Sequence, residues 1–335
     1  MTAAVTTPAD TPGAPPPGPA SARIRQPGAR SGRWRRGRTA SAAAPPAVLL
    51  MAGHRLVPNG PGHLRSLVET FLPWTGLVVP ALLLCALPRR SATAAVAAAV
   101  VAAVWCSLFG GTLLDKRADG GYLTVVTHNV DEHNPDPAGT ARALAASGAD
   151  VVALEELGDA TATYRRILAA RYPYTAVHGT VGLWSRYPVS DGGTVAIAPW
   201  PRALRATVHT PKGPVAVFVA HLMSVRFALG SGFGVRARDA AALRLAAALR
   251  AERLPRVVVV GDFNGTTDDR ALAPVTSRLR SAQAEAGAGF GFSWPAAFPV
   301  ARIDQILVRG VDPRSAWSLP ATGSDHLPVA ASLRL

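Results

Sequence analysis

Six short polar clusters in this chain close apolar runs with groups able to bind a metal or a phosphate. TVVTHN ends in Asn129, VVALEEL carries Glu155 and Glu156, and VAVFVAHL ends at His221. VVVVGDFN ends in Asp262 and Asn264, RIDQIL contains Asp304, and GSDHLPV presents Ser324, Asp325 and His326. Each has an ordinary alternative: a turn residue, a solvated acidic pair, a satisfied core histidine, or an Asp304 paired with Arg302. Together they supply carboxylates, amides and imidazoles, with no thiolate among them. Oxygen donors of that kind suit a hard ion such as Mg²⁺. An Asp beside a water can orient or deprotonate it, while a cationic His and a neutral Asn donate to phosphate oxygens as charge builds. A second Asp behind the His fixes its tautomer and keeps it charged. The chemistry that fits is metal-assisted phosphoester hydrolysis.

These clusters need strands to hold them. Val257 to Val260 are β-branched and continuous, as in a strand buried on both faces, with Gly261 allowing a sharp turn before Asp262. From Tyr122 onward the pattern is soluble α/β. Strands are predicted at YLTVVTHNV, DVVALEEL, VGLWS, GGTVAIA, RALRATVHT, PVAVFVAHL, RIDQILVRG and LPVAASLRL. Helices are predicted at PAGTARALAASG, at ATATYRRILAARY and from about Val235 to Arg253. No Walker-type loop or GxGxxG stands between a strand and a helix, so nothing supports ATP or dinucleotide binding.

The 335 residues are uneven in composition, with a net charge of +14. Residues 1–118 carry 13 basic against 3 acidic residues, and residues 119–335 carry 22 against 18. The basicity thus belongs mainly to the first third. Residues 1–41, rich in Pro, Ala and Arg, cannot bury a core and are predicted to be disordered. Residues 42–114 read as a membrane region with three crossings, a weak one at about 42–57 and strong ones at 66–87 and 91–114. The Arg cluster before residue 40 and Arg89-Arg90 both belong on the cytoplasmic side, which requires an even number of crossings between them. The third crossing then delivers a domain spanning 119–335 to the outside of the cell membrane. Two crossings with a cytoplasmic domain is the alternative, favoured by Lys116 and Arg117. Cys85 and Cys106 lie in apolar stretches without metal-site spacing and read as small apolar residues.

In order, THN, ALEEL, AHL, GDFN, RIDQI and SDHLPV resemble the motifs of the endonuclease/exonuclease/phosphatase superfamily, over about residues 122–335. The resemblance implies a four-layered α/β sandwich, two packed mixed β-sheets flanked by helices, here preceded by transmembrane helices. It implies Glu156 as the metal-binding acid, with Asn129 and Asp325 on the metal side, and Mg²⁺ as the ion, for which Mn²⁺ can substitute. Glu155 stands where the family usually has Gln. Asp262 would handle the attacking water, Asn264 and His221 would hold phosphate, and His326 would stabilise the transition state with Asp304 behind it. Where the family often shows Gly-Asn-Ala, this chain has Thr180-Val181-Gly182, which removes an Asn or hands its work to Asn134.

The fold fixes the reaction class and leaves the substrate open. The nearly balanced catalytic part argues against a nucleic-acid groove. An anchor places the site where lipid head groups are, and SVRFALGSGFGVRAR offers Arg226 and Arg236 to a phosphate. The layout also resembles actinomycete membrane-bound members of the superfamily, including VanJ-type proteins linked to teicoplanin resistance. That resemblance implies a polyprenyl pyrophosphate of the cell-wall lipid carrier cycle as substrate. An anchored nuclease or general phosphodiesterase, and a non-catalytic membrane sensor, are the alternatives.

Overall fold

The computed structural model describes residues 1–3, 34, 37–60, 62–228 and 232–335. Most of the tail expected to be disordered lies outside the described residues. In chain order the strands are β1 (Leu123–Asn129), β2 (Val151–Glu155), β3 (Tyr174–His178), β4 (Val181–Ser185), β5 (Val189–Thr194), β6 (Ala203–Thr210) and β7 (Gly213–Ala220). They continue with β8 (Arg226–Ala228), β9 (Gly232–Gly234), β10 (Val257–Asp262), β11 (Arg280–Ser281), β12 (Asp304–Arg309), β13 (Asp312–Ser318) and β14 (Val329–Arg334). One mixed sheet runs β13-β14-β1-β2-β4-β3 and the other β11-β12-β10-β7-β6-β5, while β8 and β9 form a small hairpin.

The two sheets pack face to face with helices outside, as the sandwich expectation required. Val258 and Val260 point between the sheets, where Val125, Val151, Leu183 and Val217 meet them. Val257 and Val259 point outward against Ala241, Leu245 and Leu249 of the Arg236–Ala251 helix. Alternation along a strand therefore uses all four valines, each contributing about 1.5–3 kcal/mol by burial. The other sheet is covered by Leu144, Tyr164 and Leu168 of the Pro137–Ala146 and Thr161–Leu168 helices.

Strand direction brings the polar clusters to one end. β1 and β2 are parallel, with Asn129 beside Glu155, and β7 and β10 are parallel in the opposing sheet. β12 runs antiparallel to β10 with Asp304 opposite Asp262. β14 runs antiparallel to β1, so the Ser324–His326 turn arrives where β1 leaves. The structure also shows strands that the pattern did not predict, β3 and β13 among them. Tyr174, Thr175 and most of β13 are only partly covered, so neither has a clean apolar face.

Ahead of the sandwich, the Ala44–Gly53, Val78–Arg89 and Ala92–Phe109 helices pack around Met51, Leu82, Ala98 and Val101. Among the described residues, Leu64–Arg89 and Ala92–Thr112 are long and apolar enough to cross a membrane. The stretch at 42–57 contributes the ten-residue Ala44–Gly53 helix, about 15 Å long. The run expected at 66–87 is not uniform. Its first part, the Leu64–Phe71 helix, buries Ser66, Glu69 and Thr70, and a 3₁₀ segment, Leu72–Leu77, separates it from Val78. Glu69 is buried because Arg270 of the sandwich meets it at 2.5 Å and donates its backbone N–H as well. A lone carboxylate in an apolar run would be costly, and docking onto the sandwich supplies the partner. Trp74 stacks on Phe292 and donates to Val300 O, extending the same contact.

Gly261 sits at φ 134°, and a Cβ there would lie 2.1 Å from Ala220 O. Only glycine allows β7 and β10 to stay this close while the chain turns to present Asp262. Gly261→Ala should therefore cost about 1–3 kcal/mol from the backbone conformation alone, with the clash in addition. Chemical denaturation is the check, and an unchanged midpoint would contradict this account.

Candidate active site

Asp262 is buried at the end of β10. Its carboxylate accepts the backbone N–H of Asn264 at 2.8 Å, the Asn264 side-chain amide at 3.0 Å and the Asn129 amide at 3.1 Å. Burial, with the charge of Asp304 adding, lifts its pKa to about 7 against the pull of His326 and these hydrogen bonds. A carboxylate poised near neutrality suits a general base.

His326 faces it, with Nε2 4.0 Å from Asp262 Oδ2. Its Nδ1 meets Asp304 Oδ2 at 2.9 Å. Burial alone disfavours the imidazolium, but Asp304, Asp262 and Asp325 outweigh it and raise the pKa to about 10. Burial also opposes ionisation of Asp304, yet His326 and the Ser293 hydroxyl, donating at 2.6 Å, keep its carboxyl below the usual value. His326 is thus a positive donor aimed at the space in front of Asp262. Asp262, Asp304 and His326 also bring ligand-type atoms within 4.8 Å of one another. An imidazolium has no free lone pair, so this triad is an ion-pair relay rather than a metal cage.

The two adjacent glutamates differ. Glu155 is wholly buried, accepts from Thr127 Oγ1 at 2.9 Å and leaves Oε2 without a partner. Burial pushes its carboxyl well above the usual range, so it sits as a neutral acid, close in shape and polarity to a Gln. Glu156 turns at φ 57° into the cleft, with its side chain 26 % exposed. Asn129, Asp131, Glu156, Asp262, Asn264, Asp325 and His326 line one cleft of about 630 Å³. Glu156, Asn129 and Asp325 bring only hard donors to its lining, which fits a divalent ion such as Mg²⁺.

Three residues lie elsewhere than the sequence suggested. His221 is 1 % exposed and does not line the cleft. Its ring accepts from Arg202 Nη2 and lies 3.4 Å from Glu156 and 3.7 Å from Asp262, bracing both from below. Burial and the Arg202 charge keep it neutral. Asn134 does not face the site: its amide donates to Val130 O and Thr140 Oγ1, and its carbonyl caps Asp136. Arg226 lines the cleft, but Arg236 is exposed on the first turn of its helix, away from it. Arg238, two residues on, is wholly buried instead, pairing with Asp269 at 2.7 Å and donating to Asn264 O at 3.2 Å.

Sequence reasoning missed Asp131, Arg202, Arg238, Ser293 and Trp294. Asp131 falls two residues after Asn129 and shared its signal. Ser293 and Trp294 come from a loop with no pattern, and Trp294 reaches the site by donating to Asp325 at 3.2 Å.

Glu155→Gln should keep activity and stabilise the protein, because an amide has no charged form for burial to oppose. A carboxyl with a raised folded pKa costs stability as pH climbs from the unfolded value toward the folded one. The gain should therefore be larger at about pH 8 than at about pH 5. Glu156→Gln, one residue away, should lower hydrolysis about a hundredfold or more. Melting curves at both pH values and paired rate measurements check the contrast.

The endonuclease/exonuclease/phosphatase family profile matches residues 126–326. No curated protein matches the sequence. Among solved structures, the fold is similar to beta toxin from Staphylococcus aureus, with TM-score 0.53 and 16 % identity over 63 % of this chain and 99 % of that one. It is also similar to an endonuclease/exonuclease/phosphatase protein from Bacteroides vulgatus, with TM-score 0.52 and 21 % identity over 64 % and 98 %. A third is the mannosyl-6-phosphatase Bt3783 of Bacteroides thetaiotaomicron, with TM-score 0.52 and 16 % identity over 64 % and 100 %. At these identities the likeness concerns the fold. The profile covers more than half of the chain and ends on His326, and so the chain belongs to the endonuclease/exonuclease/phosphatase family, whose members are usually metal-dependent hydrolases of phosphoester bonds.

Proposed function

We propose that this protein is a membrane-anchored, Mg²⁺-dependent phosphohydrolase acting on a lipid phosphate, with a polyprenyl pyrophosphate of the undecaprenyl type as substrate. The observation that carries this is the docking of the cleft onto the apolar segment. Glu69 with Arg270, and Ser66 with Asp269 at 3.1 Å, tie the sandwich to the run that continues into Val78–Arg89. That run and its neighbour leave Leu83, Leu84, Leu87, Val96 and Val100 exposed, a surface suited to lipid. Gly37 packs beside Ser91, next to Arg89-Arg90 in the chain. On this reading the chain crosses the membrane three times, with the basic clusters inside and the catalytic domain outside.

In the reaction, Asp262 takes a proton from water as the water oxygen bonds to the terminal phosphorus. The bridging P–O bond breaks and its electron pair leaves with the lipid monophosphate, an anion that needs no proton. Asn264 and the His326 imidazolium donate to phosphoryl oxygens as negative charge gathers there. Glu156, Asn129 and Asp325 would hold the metal, which supplies charge neutralisation on the phosphate when bound. His221 and Arg202 keep Glu156 and Asp262 in place.

Detergent-purified protein with Mg²⁺ should release phosphate from undecaprenyl pyrophosphate. Asp262→Asn should lower the rate about 10²–10⁴-fold and His326→Ala about 10²–10³-fold. Removing the metal with a chelator should abolish release. Nicking of supercoiled plasmid with the lipid untouched would replace this function with a nuclease.

A further inference from the structure

The cleft also has an apolar lining that the reaction does not use. Leu67 and Phe71 of the Leu64–Phe71 helix, Phe233 of β9, and Trp294 and Ile303 of the sandwich line it together with the polar residues. A water-soluble phosphate ester has no use for such a wall, and an apolar surface in an open cleft is costly unless something covers it.

Three connections hold this helix in register with the chemistry. Ser66 donates to Asp269, Asp269 pairs with Arg238, and Arg238 donates to Asn264 O, an unbroken polar chain from the helix to the phosphate-binding loop. Glu69 and Arg270 fix its next turn. On its other flank Phe233 N–H donates to Gly62 O at 3.0 Å, where a Cβ on Gly232 would lie 2.4 Å from Gly62 Cα. That approach requires glycine, since no side chain fits between the two backbones.

We propose that the Leu64–Phe71 helix is part of the substrate site, and that Leu67 and Phe71 grip the apolar chain of the substrate where it leaves the phosphate. The occupant is a single apolar chain esterified to phosphate or pyrophosphate. Continuity fixes that choice, because the apolar wall adjoins Asn264 and His326 and the helix leads by Leu72–Leu77 into the apolar bundle. The anchor thus selects the substrate as well as placing the enzyme, an inference that rests on the lipid function proposed above.

The test compares kcat/KM for farnesyl pyrophosphate and for isopentenyl pyrophosphate, using the full chain in detergent with Mg²⁺. The wild type should prefer the longer chain by about tenfold or more. Leu67→Asn and Phe71→Asn should each erode that ratio by about tenfold, mainly through KM for the farnesyl substrate, and Leu67→Met should restore it. Leu67→Ala, a good helix former, carries the test if the polar variants do not fold. A wild-type preference that survives in folded variants overturns the role of the helix while leaving the lipid function intact. A wild type indifferent to chain length, or inactive on both probes, overturns both.

Discussion

Asp304 and His326 meet at 2.9 Å in a place that solvent barely reaches, and the charge state of everything around them follows from that contact. A buried ion pair is stable only when its remaining hydrogen-bond sites are met, and here the Ser293 hydroxyl meets the second need of Asp304. Asp262 lies on the open side of the imidazolium and is half-persuaded to ionise, with its pKa near 7. Glu155 lies further back, has no cation of its own and stays neutral. Several buried acids thus share little positive charge, and His326 favours ionisation of Asp304 and Asp262 more than that of Glu155.

The cleft is also a place of backbone strain. Asp131, Glu156 and Asn264 all have left-handed φ values, 59°, 57° and 48°. Asn and Asp tolerate that region, but Glu does so rarely. Glu156 adopts it because Glu155 must finish β2 inside the protein, and the chain then reverses at once to bring the next carboxylate out. Hydrogen bonds hold two of these turns: Asn129 accepts from Asp131 N–H and Asp262 from Asn264 N–H.

Catalytic domain and apolar region are joined by more than a linker. The buried Arg238–Asp269 pair connects the Asp262–Asn264 turn to the Leu64–Phe71 helix, and the Trp74–Phe292–Phe290 stack continues the contact toward Trp105. Breaking a buried pair by removing one partner leaves an uncompensated charge, so these links resist separation. Arg270 likewise partners Glu69 in its otherwise apolar run.

Much of the fold was legible in the sequence because its signals are local. Four consecutive valines, apolar runs in β1 and β7, and a Gly before Asp262 report a strand and its end without any partner. The residue types at six strand ends suggested a chemistry, and Asp262, Asn264, Asp304 and His326 lie together in the fold. What only the tertiary structure decided concerns residues far apart in the chain. It separated Glu155 from Glu156, moved His221 beneath the cleft, spent Asn134 on its own loop, and preferred Arg238 to Arg236. It also brought the start of an apolar run to the lining of the cleft. No periodicity could show this, because Glu69 and Arg270, or Arg202 and His221, acquire their roles only when folding sets one charge against another.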